Sequence, residues 1–386
     1  YDLTFRDRQN DQLTIFAPGG QRGNVSHVRI SNRGGANATH AEIEVVVDAA
    51  RNNGLFKRHL YRIDSQSRGV LITTTYRNDS KEIRRGTVDD YWKPSGKRGT
   101  FLDVQWIDAV DPDDRGAYAA GWVNRPKRQS GLAKKPTTLT LKPGESRTLT
   151  RFMAPGISPA DAMSRVIAFG ANNAKLLAVE LEDSISGAPI DSATVTISHE
   201  GESVIGYPVK RGMLVFLPVN SYTVSIMERG RKPVTRKVDP KNDQTWGIKE
   251  KLSPLSGVVF AITDAAGKDT PCKVQFIATG KTATPNLGPQ NRAHGCVDQW
   301  HSETGKFNVA LDPGTYRLVI TRGIEHNHLV RKVTVKAGAF TPVKGALQRV
   351  VNTRGWVSTD FHNHSTPSGD NQCGTDDRII NLAAEH

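Results

Sequence analysis

The chain has 386 residues, enough for several ordinary domains, with 35 glycines and 20 prolines. Lys and Arg total 52 against 39 Asp and Glu, a net charge of +13. No apolar run approaches the length that spans a bilayer, which excludes a transmembrane helix from the expected elements.

Basic clusters occur at Lys93–Arg98, Arg125–Lys135 and Arg229–Lys237. They are dispersed over predicted loops and edges without interleaved aromatic residues. A solvated basic surface therefore fits better than a nucleic-acid binder, and attraction to anionic surface polymers or lipids stays open. Tyr1 stands where Met would open a primary translation product, which reads as export after removal of a leader, or as a cut N-terminus. The three cysteines Cys272, Cys296 and Cys373 are too few for a disulfide-built fold. One bridge between Cys272 and Cys296 and two separate thiols fit the sequence equally.

In an N-terminal domain expected over 1–175, residues 1 to about 155 alternate apolar and polar over short runs, as in His27-Val28-Arg29-Ile30 and Val70–Tyr76. Many strands without intervening helices predict an antiparallel β-sandwich. The turn Lys142-Pro143-Gly144 between Thr137–Leu141 and Ser146–Phe152 predicts a hairpin. Asp103, Asp108, Asp111, Asp113 and Asp114 lack the glycine-centred spacing of a calcium loop and read as a solvated stretch. Trp92, Trp106, Trp122 and Tyr118 suit core packing better than a sugar-stacking platform. Ser158-Pro159-Ala160-Asp161 is a helix start, and the helix is expected to stop at Gly170.

An internal repeat follows. Residues 178–197 and 258–277 each read as strand, Asp/Gly turn, Pro, strand. The units end alike, in Leu217-Pro218-Val219-Asn220-Ser221-Tyr222 and Leu311-Asp312-Pro313-Gly314-Thr315-Tyr316, then Arg229-Gly230 and Arg322-Gly323. The pattern resembles the carboxypeptidase-regulatory-like, transthyretin-like modules. That resemblance implies two tandem Ig/transthyretin-like β-sandwiches over 176–253 and 254–348. Within the second, His294, Cys296, His301, His326 and His328 do not have the spacing of a closed zinc site.

The last stretch, 349–386, carries the one metal-type pattern. Trp356 to Phe361 is expected as a short, mostly buried strand, placing Asp360, His362 and His364 on one face. Two imidazoles beside a carboxylate suit Zn, Mn or Fe. Thr375 is expected to cap a helix with Asp376 and Asp377 in its first turn. Strand and helix together cannot bury their own apolar faces, so the stretch reads as the first β/α unit of a larger domain.

Taken with Gly305–Tyr316 and Thr321–Glu325, the run Asp360-Phe361-His362-Asn363-His364-Ser365 resembles the CehA/McbA-type metallohydrolases of the PHP (polymerase and histidinol phosphatase) superfamily. The resemblance implies a truncated PHP barrel over 349–386, with the remainder of the barrel as its missing partner. It also implies His362 and His364 as ligands in a centre of two or three divalent metals, Asp360 or Asp370 as further ligands or orienting groups, and metal-activated water attacking a small-molecule or polymer ester. On that reading the chain is an accessory part of a hydrolase that lacks a complete site. The alternative is a non-catalytic, exported β-sandwich binding or adhesion protein, with carbohydrate as a candidate ligand. The helix discriminates: its Ile379/Leu382 side either packs on 300–350 or faces solvent.

Overall fold

The computed structural model describes residues 3–6, 13–17, 27–32, 39–49, 54–64, 67–87, 91–93, 97–108, 116–123, 138–170, 174–209, 212–239, 246–365, 368, 371 and 373–385. Period-two burial runs through the strands, as in Leu55–Asp64, Met213–Leu217 and Cys272–Ala278, so each strand sends alternate side chains to a core. Among the described residues the chain is mainly β, with largely antiparallel sheets and two helices. Among the described residues no helix is long and apolar enough to cross a membrane.

The N-terminal part is built on an eight-stranded sheet in the order His27–Asn32, His40–Val47, Leu55–Asp64, Val70–Asn78, Ser146–Gly156, Ala117–Trp122, Val104–Asp108, Arg98–Phe101. The hairpin expected across Pro143-Gly144 is corrected. Its turn forms, with Gly144 at φ 74° and Glu145 N–H bonded to Lys142 O. Its two arms, however, enter different sheets: Thr138–Leu141 pairs with Arg84–Thr87, while Ser146–Gly156 pairs with Val70–Asn78. The buried side chains Leu141 and Leu149 both pack with Leu55 and Tyr76, so burying both is what folds the arms into an arch.

Helix α1 (Pro159–Gly170) starts as the sequence predicts. Ser158 Oγ accepts the Asp161 N–H at 3.2 Å, and the Asp161 carboxylate accepts the Ile157 N–H at 3.0 Å. Its buried side, from Ala160 to Ile167, shares one continuous core with Phe101, Trp106 and Phe152 of the N-terminal sheet and with Leu177, Val195 and Tyr222 beyond it.

The repeat folds into two sandwiches with the same strand order. In the first, Lys175–Asp183 lies between Met213–Leu217, antiparallel, and Trp246–Leu252, parallel. Its other sheet runs Glu202–Gly206, Thr194–His199, Tyr222–Met227, Val234–Val238. In the second, Gly257–Asp264 lies between Lys306–Ala310 and Phe340–Leu347 in the same senses. Its four-stranded sheet runs Gln299–Ser302, Cys272–Ala278, Gly314–Thr321, Leu329–Val335. The equivalent tyrosines make the same bond. Tyr222 and Tyr316 donate to the carbonyl oxygens of Pro218 and Asp312, at 2.8 and 2.9 Å. Each tyrosine ring is buried while its hydroxyl is satisfied four residues back, the tyrosine-corner device of β-sandwiches.

One titratable group of the N-terminal sheet is set to oppose acid. His59 is buried, its Nδ1 is 3.0 Å from Thr74 Oγ1, and burial followed by the charges of Arg151 and Lys57 pushes its pKa down to about 3. The unfolded chain, with His59 near its ordinary value, binds the proton first. Stability is therefore expected to fall as pH drops from about 6.5 towards 3, by up to about 1.4 kcal/mol per pH unit. Denaturant titrations across that range check this, and the slope is expected to flatten in His59→Gln.

Candidate functional site

The segment after the second sandwich is held at its start. Val350 N–H donates to Glu325 O at 2.8 Å, and Arg349 pairs with Glu325 at 2.9 Å. Beyond it, the expected buried strand over 356–361 does not form. Trp356 and Val357 are each 83% exposed and Phe361 is 95% exposed. The apolar residues there lack a period of two, and no strand among the described residues pairs with them, so their backbone follows a turn in which Trp356 N–H bonds to Thr353 O. This removes the strand from the β/α unit that the sequence suggested.

His362 and His364 still meet. Their Nε2 atoms are 2.8 Å apart and the rings stack with centroids at 4.9 Å. At that distance one nitrogen carries the proton and the other accepts it. His364 Nδ1 is 3.2 Å from Ser368 Oγ. The Asp360 carboxylate turns away from the imidazoles and accepts the backbone N–H of His362 at 3.0 Å. Asp370 lies outside the described residues. Imidazole suits Zn, Mn or Fe, but two converging donors fall short of the three or four that a zinc site takes. Among the described residues no three or more His, Cys, Asp or Glu side chains gather in a way that would hold a metal.

Helix α2 (Thr375–Glu385) forms where expected, with one correction at its start. Gly374, not Thr375, is the capping position, because Gly374 O accepts the Arg378 N–H at 2.9 Å. The helix lies against strands Gln299–Ser302 and Cys272–Ala278 of the second sandwich. Ala384 is buried there, while Ile379 is 58% exposed. Polar ends do the fastening. Asp377 accepts the Ala293 N–H at 2.7 Å, and Glu385 pairs with Lys273 and, at 3.4 Å, with His301. The hydrogen bond from His301 holds the Glu385 carboxyl down at about 2.

The remaining histidines of the second sandwich are dispersed. His294 pairs with Glu303 at 2.9 Å and stacks on Trp300, while His326 Nδ1 is 2.9 Å from Arg322 O. The three cysteines are free, with Cys272 in the core. Trp106 is also core, its Nε1–H bonded to Ser203 O, and the Trp122 ring lies under Arg151 at 4.1 Å. Asp108 is buried and accepts the Tyr207 hydroxyl at 2.8 Å. Asp111, Asp113, Asp114 and the side chain of Trp92 lie outside the described residues.

A further grouping was not anticipated. Arg236-Lys237-Val238 and Arg331-Lys332-Val333 occupy the same edge strand of the two sandwiches. In the second, exposed Arg317 and Lys332 are direct cross-strand partners, and Arg317's other neighbour is Ile277. Like charges directly opposite oppose pairing. In the first sandwich Lys237 takes the equivalent place, opposite Thr223. The repeated Arg-Lys-Val triplet is the signal from which sequence reasoning could have found this surface.

No family model matches the chain, and no curated protein matches it. Solved structures do. The shaft pilin SpaA from Lactobacillus rhamnosus GG is 10% identical, covering 46% of this chain and 99% of the pilin, with a TM-score of 0.30. A streptococcal ancillary pilin is 13% identical, covering 72% of this chain and 81% of its own, with a TM-score of 0.26. The Bacillus anthracis TIE protein is 13% identical over 86% of this chain and 59% of its own, with a TM-score of 0.22. The missing strand at 356–361, with Trp356, Val357 and Phe361 exposed, corrects the resemblance to CehA/McbA-type PHP metallohydrolases, and no metallohydrolase stands among these structures.

Proposed function

We propose that this chain is a non-catalytic binding segment of an exported, surface-acting β-sandwich protein, and that its ligand is an acidic polymer of a cell surface. The observation that carries the reading is the cross-strand pair Arg317 and Lys332, exposed and in register, with Lys237 repeated at the equivalent place of the first sandwich. A pair of like charges on a sheet face costs stability unless an anion bridges it. That pair on one sandwich, with the single Lys237 at the equivalent place of the other, suits a ligand with repeating negative charge. The absence of aromatic side chains from Gly314–Thr321 and Leu329–Val335, apart from buried Tyr316, favours an acidic polysaccharide over a nucleic acid, whose bases would seek stacking partners.

Immobilised polygalacturonate tests this. The chain is expected to bind at low salt, with affinity falling as salt rises, and the variant R317E/K332E is expected to bind at least about tenfold more weakly. Failure to bind, equal binding by the variant, or turnover of an ester substrate by the isolated chain would overturn the reading.

A second reading is favoured by the 2.8 Å approach of His362 and His364. The pair would supply two ligands to a divalent metal, with Asp370 the residue that the sequence pattern offers as a third. Calorimetric titration of untagged chain with Zn²⁺ is expected to show one site that His362→Ala abolishes. An unchanged titration in that variant sinks this second reading.

A further inference from the structure

We propose that Cys296 and Cys373 form a disulfide that fastens the segment preceding α2 to the second sandwich. The two come from distant parts of the sequence, and one carboxylate brings them together. Asp377 Oδ1 accepts the Ala293 N–H at 2.7 Å, and Oδ2 is 3.5 Å from the Arg292 guanidinium. The same Oδ2 lies 3.0 Å from the place a Cβ on Gly374 would take. Ala293 is three residues from Cys296, and Gly374 adjoins Cys373. The loop is thus bonded to the first turn of the helix through both oxygens of Asp377.

The thiols are placed accordingly. Cys373 is buried although it lies in a connecting segment, and Cys296 is half-buried with its Sγ 3.3 Å from Gln290 O. Cys296 is held between Gly295 at φ 103° and Val297 at φ 54°. A β-branched residue in that region is strained, so the loop is fixed by its surroundings in an unusual form. Burial raises the pKa of both thiols, and Cys296 is raised further by the charges of Asp298 and of Cys373 itself. Cys272 is not the partner. It is fully buried on its strand among Val274 and Phe276, and burial pushes its thiol up to about 12.

The bond forms by thiol–disulfide exchange with a small or protein disulfide, the oxidant that export supplies. Cys296 loses its proton and its sulfur attacks one sulfur of R–S–S–R, which breaks that bond and releases one RSH. Cys373, deprotonated in turn, attacks the Cys296 sulfur of the mixed disulfide and expels the second RSH. The two cysteines lose two electrons and two protons, and the oxidant takes up both.

The test refolds the denatured, reduced full chain in a reduced/oxidised glutathione buffer, so that burial does not limit access. Thiols are then counted in denaturant, and the mass and cross-linked peptides are read. Three thiols are expected to fall to one, with a mass loss of two hydrogens and a single linked pair, Cys296 with Cys373. Cys272→Ser is expected to fall from two thiols to none, and Cys296→Ser to form no internal bond. Amide exchange in α2 is expected to slow at least about tenfold in the oxidised chain. Three persisting thiols, glutathione adducts in place of the cross-link, or a bond that includes Cys272 would overturn the proposal.

Discussion

One buried guanidinium fixes the end of the first sandwich from which the bonds to the second are made. Arg231 donates to the Asp183 carboxylate at 2.5 Å, to Glu228 at 2.6 Å and to the carbonyl of Ser253 at 2.5 Å. Two carboxylates surround one cation, and Asp183 also accepts the N–H groups of Ile185 and Ser186. Those bonds keep the Asp183 carboxyl well below its usual range. Ser253 begins the connection to the second sandwich. The neighbouring Gly230, at φ 83°, donates to the Asp312 carboxylate and accepts the Ser256 N–H, and a Cβ there would meet Ser256 O at 2.6 Å. The hairpin end of the first sandwich is thus bonded to the Asp-Pro-Gly turn that precedes Tyr316 in the second. Removing Arg231 would leave the Asp183 and Glu228 carboxylates facing each other without a cation.

The other junction works differently. Between the N-terminal sheet and the first sandwich, α1 supplies apolar surface to both sides, and the core runs through without a break. Polar bonds cross it as well: Leu102 N–H to Glu202 at 2.9 Å, and Phe216 N–H to Ser164 Oγ at 2.7 Å. One junction is therefore hydrophobic, and the other is made of hydrogen bonds to backbone groups. Both limit independent motion of the parts. The consequence for binding is that Lys237 and the Arg317/Lys332 pair keep a fixed relation, so a long anionic ligand held by one reaches the other at high effective concentration.

The repeat was readable because its signals are local. Asp/Gly turns, the Pro-Gly-Thr-Tyr run and alternating burial each act within a few residues, and both sandwiches follow them. Ser158-Pro159 announced α1 for the same reason. The errors came where a partner decides the outcome. Thr138–Leu141 and Ser146–Gly156 look like a hairpin, yet packing against Leu55 and Tyr76 sends them to different sheets. Trp356 to Phe361 is apolar enough for a strand, yet no described strand pairs with it, and its side chains stay exposed. The His-Asn-His triplet did bring two imidazoles together, but Asp360 turned to the backbone. The basic faces were hidden because Arg317 and Lys332 become neighbours only through the strand register.

The most direct measurement of this account is the rotational correlation time of backbone amides in the two sandwiches, 176–239 and 257–347, recorded on the whole chain. The account predicts one common value for both in the native chain, separating into two when the bond from Gly230 is removed in Asp312→Ala. Two different values in the native chain would show that the sandwiches tumble independently and would contradict it.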